Sequence, residues 1–317
     1  MKKIFLFALV VAIAGNTFGI DVSGNQSGTW TLVNSPYHVI GDVTVLAETS
    51  LTIEPGVEVK FDLNKRITIF GELQAVGTLS DSIYFQADDI SEPWDGIKIE
   101  NTNVSNLSYC VISDSDDSGI TVSSSTGIII YCSHIYNNTA LMGGGINVIE
   151  GCTNVTIETC EVNNNQSTST ETETGGGGVA FTMCNLSTVN NCLIHDNTAD
   201  QYGGGIFLNR TSETSITNDT IIDGNTAAIG GGICIFKGND NAIINNRIRY
   251  NEALGSSSSG AWGGGVYLMT ATNICGNYIS YNVSRGEGGG IYASNWSVAE
   301  KVICNNSIFE NQATNQG

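Results

Sequence analysis

The chain has 317 residues, with 38 glycines, only 3 prolines, 41% apolar residues and 31 acidic against 12 basic side chains, for a net charge of −19. That much apolar surface excludes a disordered or collagen-like chain, because burying it offsets the ordering entropy of a large core. The negative charge argues against nucleic acid as a partner, since affinity for a phosphate backbone comes mostly from Lys and Arg.

At the N-terminus, Lys2 and Lys3 precede the apolar run Ile4 to Ala14 and then small and polar residues up to Gly19. This is the layout of a secretory signal peptide cleaved after Gly19. The run is too short for a bilayer span, which takes about 20 apolar residues. The sequence therefore predicts an exported chain with a signal peptide over 1–19, an N-terminal cap region over 20–38 and one repetitive domain over 39–317. In the early part of that domain, Asp114-x-Asp116-x-Ser118-Gly119 has the oxygen and glycine spacing that opens a Ca²⁺ loop, although Ser125 stands where such a loop ends on Glu. Asp114, Asp116 and Ser118 are the candidate metal ligands, and Ca²⁺ is the one cofactor the sequence suggests. A polar corner with no metal is the competing reading.

Further along, glycine falls into six triplets, ending at Gly145, Gly178, Gly205, Gly232, Gly265 and Gly290. Each is followed by an apolar residue and a second one two positions on, from Ile146/Val148 to Ile291/Ala293, the period of a half-buried strand. Each is preceded by an apolar residue, two variable ones and Asn, from Ile135/Asn138 through Ile194/Asn197 to Ile279/Asn282, with Ile308/Asn311 as a seventh copy. Eight residues before the Asn lies another apolar position, broken only by Thr217. Strands this short cannot each bury a face alone, but stacked they form one core. The fold class is all-β, a single-stranded parallel β-helix with coils of 26–32 residues between Asn columns. Asn at a fixed corner is expected to take a left-handed turn and to bond to its copy one coil away. The glycines suit the next corner, where positive φ or close backbone approach excludes a Cβ. A helix is excluded, because each triplet would cost it about 3 kcal/mol.

The units I-x-x-N-x-[AS] followed by GGG-[IV], as in Ile194 to Ala199 with Gly203 to Ile206, resemble the polymorphic outer-membrane protein repeat. That resemblance covers residues 128–317 and implies a right-handed β-helix of the pectate-lyase-like superfamily. This chain departs from it by placing Ile or Val at the Phe position and Gly at the Ala position. The stretches 51–61, 67–77 and 94–99 look like the first coils of bacterial surface β-helices. Gly317 stands six residues after Asn311, where a seventh triplet is due, so the chain reads as lacking a C-terminal cap. In the resembling family that region is the place for a translocator or sorting domain, and membrane association is expected only through it.

Aligned on the Asn column, Cys152 matches Cys184, Cys160 matches Cys192 and Cys275 matches Cys304; Cys110 and Cys132 share a Tyr-Cys context, and Cys234 stands alone. Inter-coil disulfides suit an exported protein. In-register parallel side chains about 4.8 Å apart do not converge readily to bridging distance, which favours free stacked thiols.

β-Helix enzymes of the resembling superfamily cut or epimerise acidic polysaccharides in a groove. Two loops, 166–174 and 252–262, are expanded here, and between them the position two before the Asn reads His195, Asp223 and Arg249 on successive coils, beside Asp196. Those are the ingredients of a general acid/base site, and equally of an outward ladder of compatible charges. The residue after the first strand position reads Ala180, Phe207, Cys234, Tyr267 and Tyr292. With Tyr202 and Trp262 nearby, Phe207, Tyr267 and Tyr292 form a candidate aromatic stripe for sugar rings or a protein surface. The sequence reading is an exported cell-surface or secreted stalk or adhesin, non-catalytic, whose partners are an extracellular polysaccharide or a host or cell-surface protein. The alternative is a polysaccharide lyase, epimerase or hydrolase working between the two loops.

Overall fold

The structure is a computed structural model that describes residues 19–255, 260–294 and 300–314. Residues 1–18 of the expected signal peptide and the glycine that would open a seventh triplet lie outside these residues. Every named strand pair is parallel, and each strand pairs with its copy one coil away, as in Ile146↔Val179 and Ile206↔Ile233. The chain is thus a parallel solenoid, as the repeat predicts.

Each repeat coil carries four strands. Face A follows the glycine triplet, as in Ile206–Ser212; face B comes next, as in Ser215–Thr217; face C precedes the Asn, as in Ile221–Asp223; and the short face D follows it, as in Thr226–Ile229. Face B stacks eleven strands, and face D, confined to the glycine-triplet coils, stacks seven. Inward positions are Ile, Val, Leu and Phe with no exposure, for example Ile206, Leu208, Ile216 and Ile222 on one coil. Each such side chain contributes about 1.5–3 kcal/mol by leaving water. Among the described residues nothing stacks on the last coil, where Ile303 and Ile308 are 45% and 48% exposed and Ile274 and Ile279 below them are buried.

Three sequence expectations need correction. The left-handed residue at the Asn corner is the one before the Asn: Asn137, Asn164, Asp196, Gly224, Tyr250, Tyr281 and Glu310 all have φ between 53° and 64°. The Asn itself turns inward, where it satisfies the buried backbone of the corner. Asn225 Oδ1 accepts from both the backbone N–H and the Nδ2 of Asn197, while its own Nδ2 donates to the Ile194 carbonyl and to Asn251 Oδ1. The same pattern runs from Asn138 to Asn311. Second, Thr217 is no defect in the core. Ile216 fills the inward position, in register with Val189 and Ile243, and two successive left-handed residues, Asn218 and Asp219, absorb the extra position at the next corner.

Third, the cysteines divide. Cys275 and Cys304, facing outward at the end of face B, form a disulfide with their Cα atoms 4.7 Å apart, against the expectation that in-register thiols stay free. The other seven cysteines are free. Cys110 and Cys132 do not match. The Cys110 N–H donates to Ser133 Oγ, which places Cys110 level with Ser133, and Cys132 occupies the left-handed corner position instead.

Candidate functional site

The predicted column His195, Asp223 and Arg249 lies in register on face C and points outward, continuing to Ser280 and Phe309. Its charges are spent on one another. His195 Nδ1 lies 2.7 Å from Asp196 and Nε2 lies 3.2 Å from Glu161 on the preceding coil. Arg249 places Nε and Nη2 at 3.0 and 2.9 Å from the same Asp223 oxygen. Both imidazole nitrogens are therefore occupied, and the guanidinium is paired, which is the ladder reading of the column. Burial disfavours the charged imidazole, but the Asp196 and Glu161 carboxylates outweigh it and raise the His195 pKa above the ordinary 6.5.

A raised folded-state value means that the stability from protonated His195 is fully present below the unfolded value and is lost as pH rises through the folded one. His195→Gln is expected to remove a decline in stability that the native chain shows as pH rises above 6.5. Unfolding midpoints of the two proteins from about pH 6 to about pH 9 check this. A difference that stays constant across that window would assign the histidine no such role.

The two expanded loops do not wall this column. Both connect face D to face A, on another side of the coil. From the first loop, Glu173 reaches over face A to Lys237, to Arg210 at 2.9 Å and to the Asn209 amide. The Lys237 hydrogen bond is the main reason its carboxyl pKa is lowered. Residues 256–259 of the second loop lie outside the described residues, but Trp262 at its end stacks on Tyr267 and Tyr292 at 6.3 and 5.7 Å.

The predicted aromatic stripe is thereby gathered and largely covered. Tyr202, Phe207, Trp262, Tyr267 and Tyr292 belong to one cluster outside face A, with Ile229, Cys234, Phe236 and two methionines. Phe207 is fully buried and Tyr267 is 3% exposed, so neither can stack on a sugar. Burial pushes the Tyr267 phenol up to about 12. Tyr202, Trp262 and Tyr292 remain half-buried at the edges. This cluster is a second, smaller core that pins Trp262, at the end of the second expanded loop, to the solenoid.

At the candidate Ca²⁺ loop, Ser118 is 1% exposed and donates its hydroxyl to the Met142 carbonyl on the next coil. Asp114 accepts from Ser113 at 2.6 Å. Among the described residues, no group of three or more His, Cys, Asp or Glu is placed to hold a metal.

The site that sequence reasoning missed begins where the column ends. Arg247, Arg249, Tyr250, Tyr278, Ser280, Tyr281 and Phe309 line a concavity of about 450 Å³ spanning three coils of face C and the adjoining corner. Tyr250 and Tyr281 stack at 5.0 Å with a 10° interplanar angle, and Phe309 meets Tyr281 edge-on at 6.0 Å. All four aromatic side chains are between 41% and 57% exposed. The Arg249 guanidinium lies 5.7 Å from the Tyr250 ring centre, and Arg247 stands 3.8 Å from Asp219.

Two tyrosines in left-handed conformation are uncommon, since a Cβ there costs about 1–2 kcal/mol and Asn, Asp or Gly avoid part of it. The preceding four coils do use Asn, Asn, Asp and Gly at this corner. The readable signal was the residue immediately before the Asn, which becomes Tyr on two successive coils. Taking the Asn itself as the left-handed residue hid it.

The whole solenoid corresponds to the family model described as a right handed beta helix region, which matches residues 18–186 and 169–317. No curated protein matches the chain. Among solved structures, the A-module of a mannuronan C-5 epimerase from Azotobacter vinelandii aligns at a TM-score of 0.50 and 14% identity, covering 92% of this chain and 89% of that one. A periplasmic alginate epimerase aligns at 0.48 and 13%, covering 89% and 84%. At these identities the likeness concerns the path of the backbone. With parallel coils from end to end and a family match over nearly all of its length, the chain belongs to the right-handed β-helix family.

Proposed function

We propose that this protein is an exported, non-catalytic β-helix whose face C binds an extended glycan at the concavity formed by Arg247, Arg249, Tyr250, Tyr278, Tyr281 and Phe309. The observation that carries this reading is the exposed Tyr250/Tyr281 stack beside two arginines in a chain of net charge −19. Exposed parallel rings offer an apolar platform to the flat face of a sugar, and the loosely paired Arg247 guanidinium offers forked donors to its hydroxyls or carboxylates, while Arg249 stays on Asp223. The site runs along the coil axis over three coils, about 10 Å, so it suits a chain better than a single ring. Export rests on the Lys-Lys and apolar N-terminus, and display at a cell surface on the resemblance to outer-membrane repeats.

The non-catalytic part of the reading rests on the paired state of His195, Asp223 and Arg249, which leaves no unengaged acid and base facing each other. Glycan-array binding followed by titration tests it. Tyr281→Ala is expected to weaken binding about two- to tenfold, since one aromatic contact is worth about 0.5–1.5 kcal/mol. Tyr292→Ala, in the covered cluster, is expected to leave binding unchanged. Equal losses for both, or no glycan bound at all, would remove the proposal, and turnover of a bound polysaccharide would replace it with the enzyme reading.

A further inference from the structure

Two pairs of free cysteines sit at the two ends of one pair of face B strands. Cys152 and Cys184 lie at the corner leading into Thr156–Glu158 and Thr188–Asn190, and Cys160 and Cys192 at the corner leading out. Within each pair the residues are on adjacent coils and level with one another. The Asn185 N–H donates to the Cys152 carbonyl, and the Leu193 N–H donates to the Cys160 carbonyl. All four are buried, at 3% exposure or less. Their thiols point inward and donate to strand carbonyls of the preceding coil: Cys184 to Val148 on face A, and Cys160 to Ile130 and Cys192 to Ile157 on face B.

A small inward donor at these corners is a structural need, and other coils meet it without sulfur. At the second corner the column runs Ser133, Cys160, Cys192, Thr220, Asn246, Asn277 and Asn306, with the same carbonyl bonded by Asn246 and Asn277. Ser, Thr and Asn therefore suffice for the hydrogen bond. Cys110, one coil before Ser133 in the same column, fills the donor role as a lone cysteine. Only on the coils of Cys160 and Cys192 are both corners occupied by cysteines standing as neighbours, and that double pairing is left unexplained by the donor role. Elsewhere on face B, Cys275 and Cys304 stand in the same one-coil relation and are bonded.

We infer that Cys152 with Cys184, and Cys160 with Cys192, are oxidation sites that close into two inter-coil disulfides, riveting both ends of one strand pair. The step is thiol–disulfide exchange with a small disulfide donor such as glutathione disulfide. One thiolate attacks a donor sulfur and expels the other as a thiolate, which takes up a proton. The neighbouring cysteine thiolate then displaces the second donor sulfur, so that two cysteine thiols are oxidised and one donor disulfide is reduced to two thiols. Exchange takes place while the coils are closing, because the finished corners are buried. The location has a reason in chain entropy. Both bridges span the coil that carries the expanded loop 166–174, where ordering the connection costs most and a crosslink restricts the unfolded chain most.

Differential alkylation of the whole chain, folded in a series of glutathione buffers, tests this. After denaturation without reductant, only Cys110, Cys132 and Cys234 are expected to label; all nine cysteines label after reduction. Peptide mapping should recover the 152–184 and 160–192 links. The Cys275–Cys304 bond is the internal control. If it forms at a potential where the four corner cysteines still label, or if they link in another pattern such as 152–160, the inference is wrong. A Cys184→Ser, Cys192→Ser variant keeps a hydroxyl donor at each corner, as Ser133 does. It should fold, show Cys152 and Cys160 as two additional labelled thiols, and lose most of the reductant dependence of its unfolding midpoint. A midpoint as reductant-sensitive as that of the native chain would also overturn the inference.

Discussion

Gly204→Ala is expected to destabilise the solenoid by on the order of 4 kcal/mol, enough to prevent accumulation of folded protein, while Gly151→Ala costs only about 1 kcal/mol. The contrast separates two reasons for being glycine. Gly151 has φ of +80° with nothing within 4 Å of an added Cβ, so alanine there meets only the intrinsic left-handed penalty. Gly204 is the middle residue of its triplet and lacks a positive φ, but an added Cβ would lie 2.5 Å from the carbonyl oxygens of both Gly231 and Thr226. Both are backbone atoms of the neighbouring coil, and the Gly231 carbonyl also accepts from the Gly205 N–H, so the chain must move as a whole to make room. Relief requires the coils to separate at the corner, stretching the bond from the Ile206 N–H to the Gly232 carbonyl and its neighbours. Urea unfolding of the two variants is the measurement. Midpoints within about 1 kcal/mol of each other would mean that coil contact at the corner does not dictate the triplet.

The same distinction marks what the sequence could and could not deliver. Periodicity is additive over six copies, so parallel stacking, the inward Ile and Val columns and the Asn ladder were all legible. The triplet was legible as a corner but not as a division of labour, in which the first glycine supplies positive φ and the second supplies clearance. Position within a repeat does not report which side of the coil a loop folds toward. The expanded loops were therefore paired with face C, when both lead into face A, the first reaching Lys237 and Arg210 through Glu173 and the second covering Tyr267 with Trp262. Exposure of an outward residue depends on what a distant insertion does, and no local pattern encodes that. The tyrosine concavity failed to register for a smaller reason: assigning the left-handed conformation to the Asn made the residue before it look like ordinary variable surface. Placing that conformation one residue earlier turns Tyr250 and Tyr281 into neighbours projecting from one edge.

Charge placement follows the same logic of stacking. Parallel in-register strands set identical positions one coil apart, so a column of like charges would repel along the whole axis. Glu161 beside His195 and Asp223 beside Arg249 alternate in sign on face C, and His38 stands between Asp21 and Asp62 on the early coils. The excess of acid is tolerated by dispersal over the other faces. On face C, Arg247 lies 3.8 Å from its nearest carboxylate, Asp219, and is 55% exposed beside the open tyrosine stack, which is why the ligand surface is assigned there.

Asn225→Ala is expected to cost about 3 kcal/mol, and Asn311→Ala about 1 kcal/mol or less. Asn225 is fully buried, and its removal leaves the Asn197 N–H and Nδ2 without their acceptor and takes the side-chain donor from the Ile194 carbonyl, while Asn251 Oδ1 keeps only the bond from the backbone N–H of residue 225. Asn311 makes the equivalent bonds on the last described coil, where its partners are partly exposed and water can take its place. Asn225→Asp distinguishes the donor from the acceptor half of the role. The carboxylate can still accept from Asn197, but it turns its second oxygen toward the Ile194 carbonyl and Asn251 Oδ1, both acceptors. Burial and those oxygens raise its pKa above the unfolded value of about 3.9. A carboxyl raised in the folded state is protonated there at pH values where the unfolded chain has already lost the proton, so its stability is fully present in acid and is lost as pH rises through the folded value. The Asp variant should therefore approach the native chain near about pH 4 and fall to the Ala variant or below at about pH 7. Parallel pH profiles for the Asp and Ala variants would show that the ladder needs only the acceptor, and the account of why the corner demands an amide would fail.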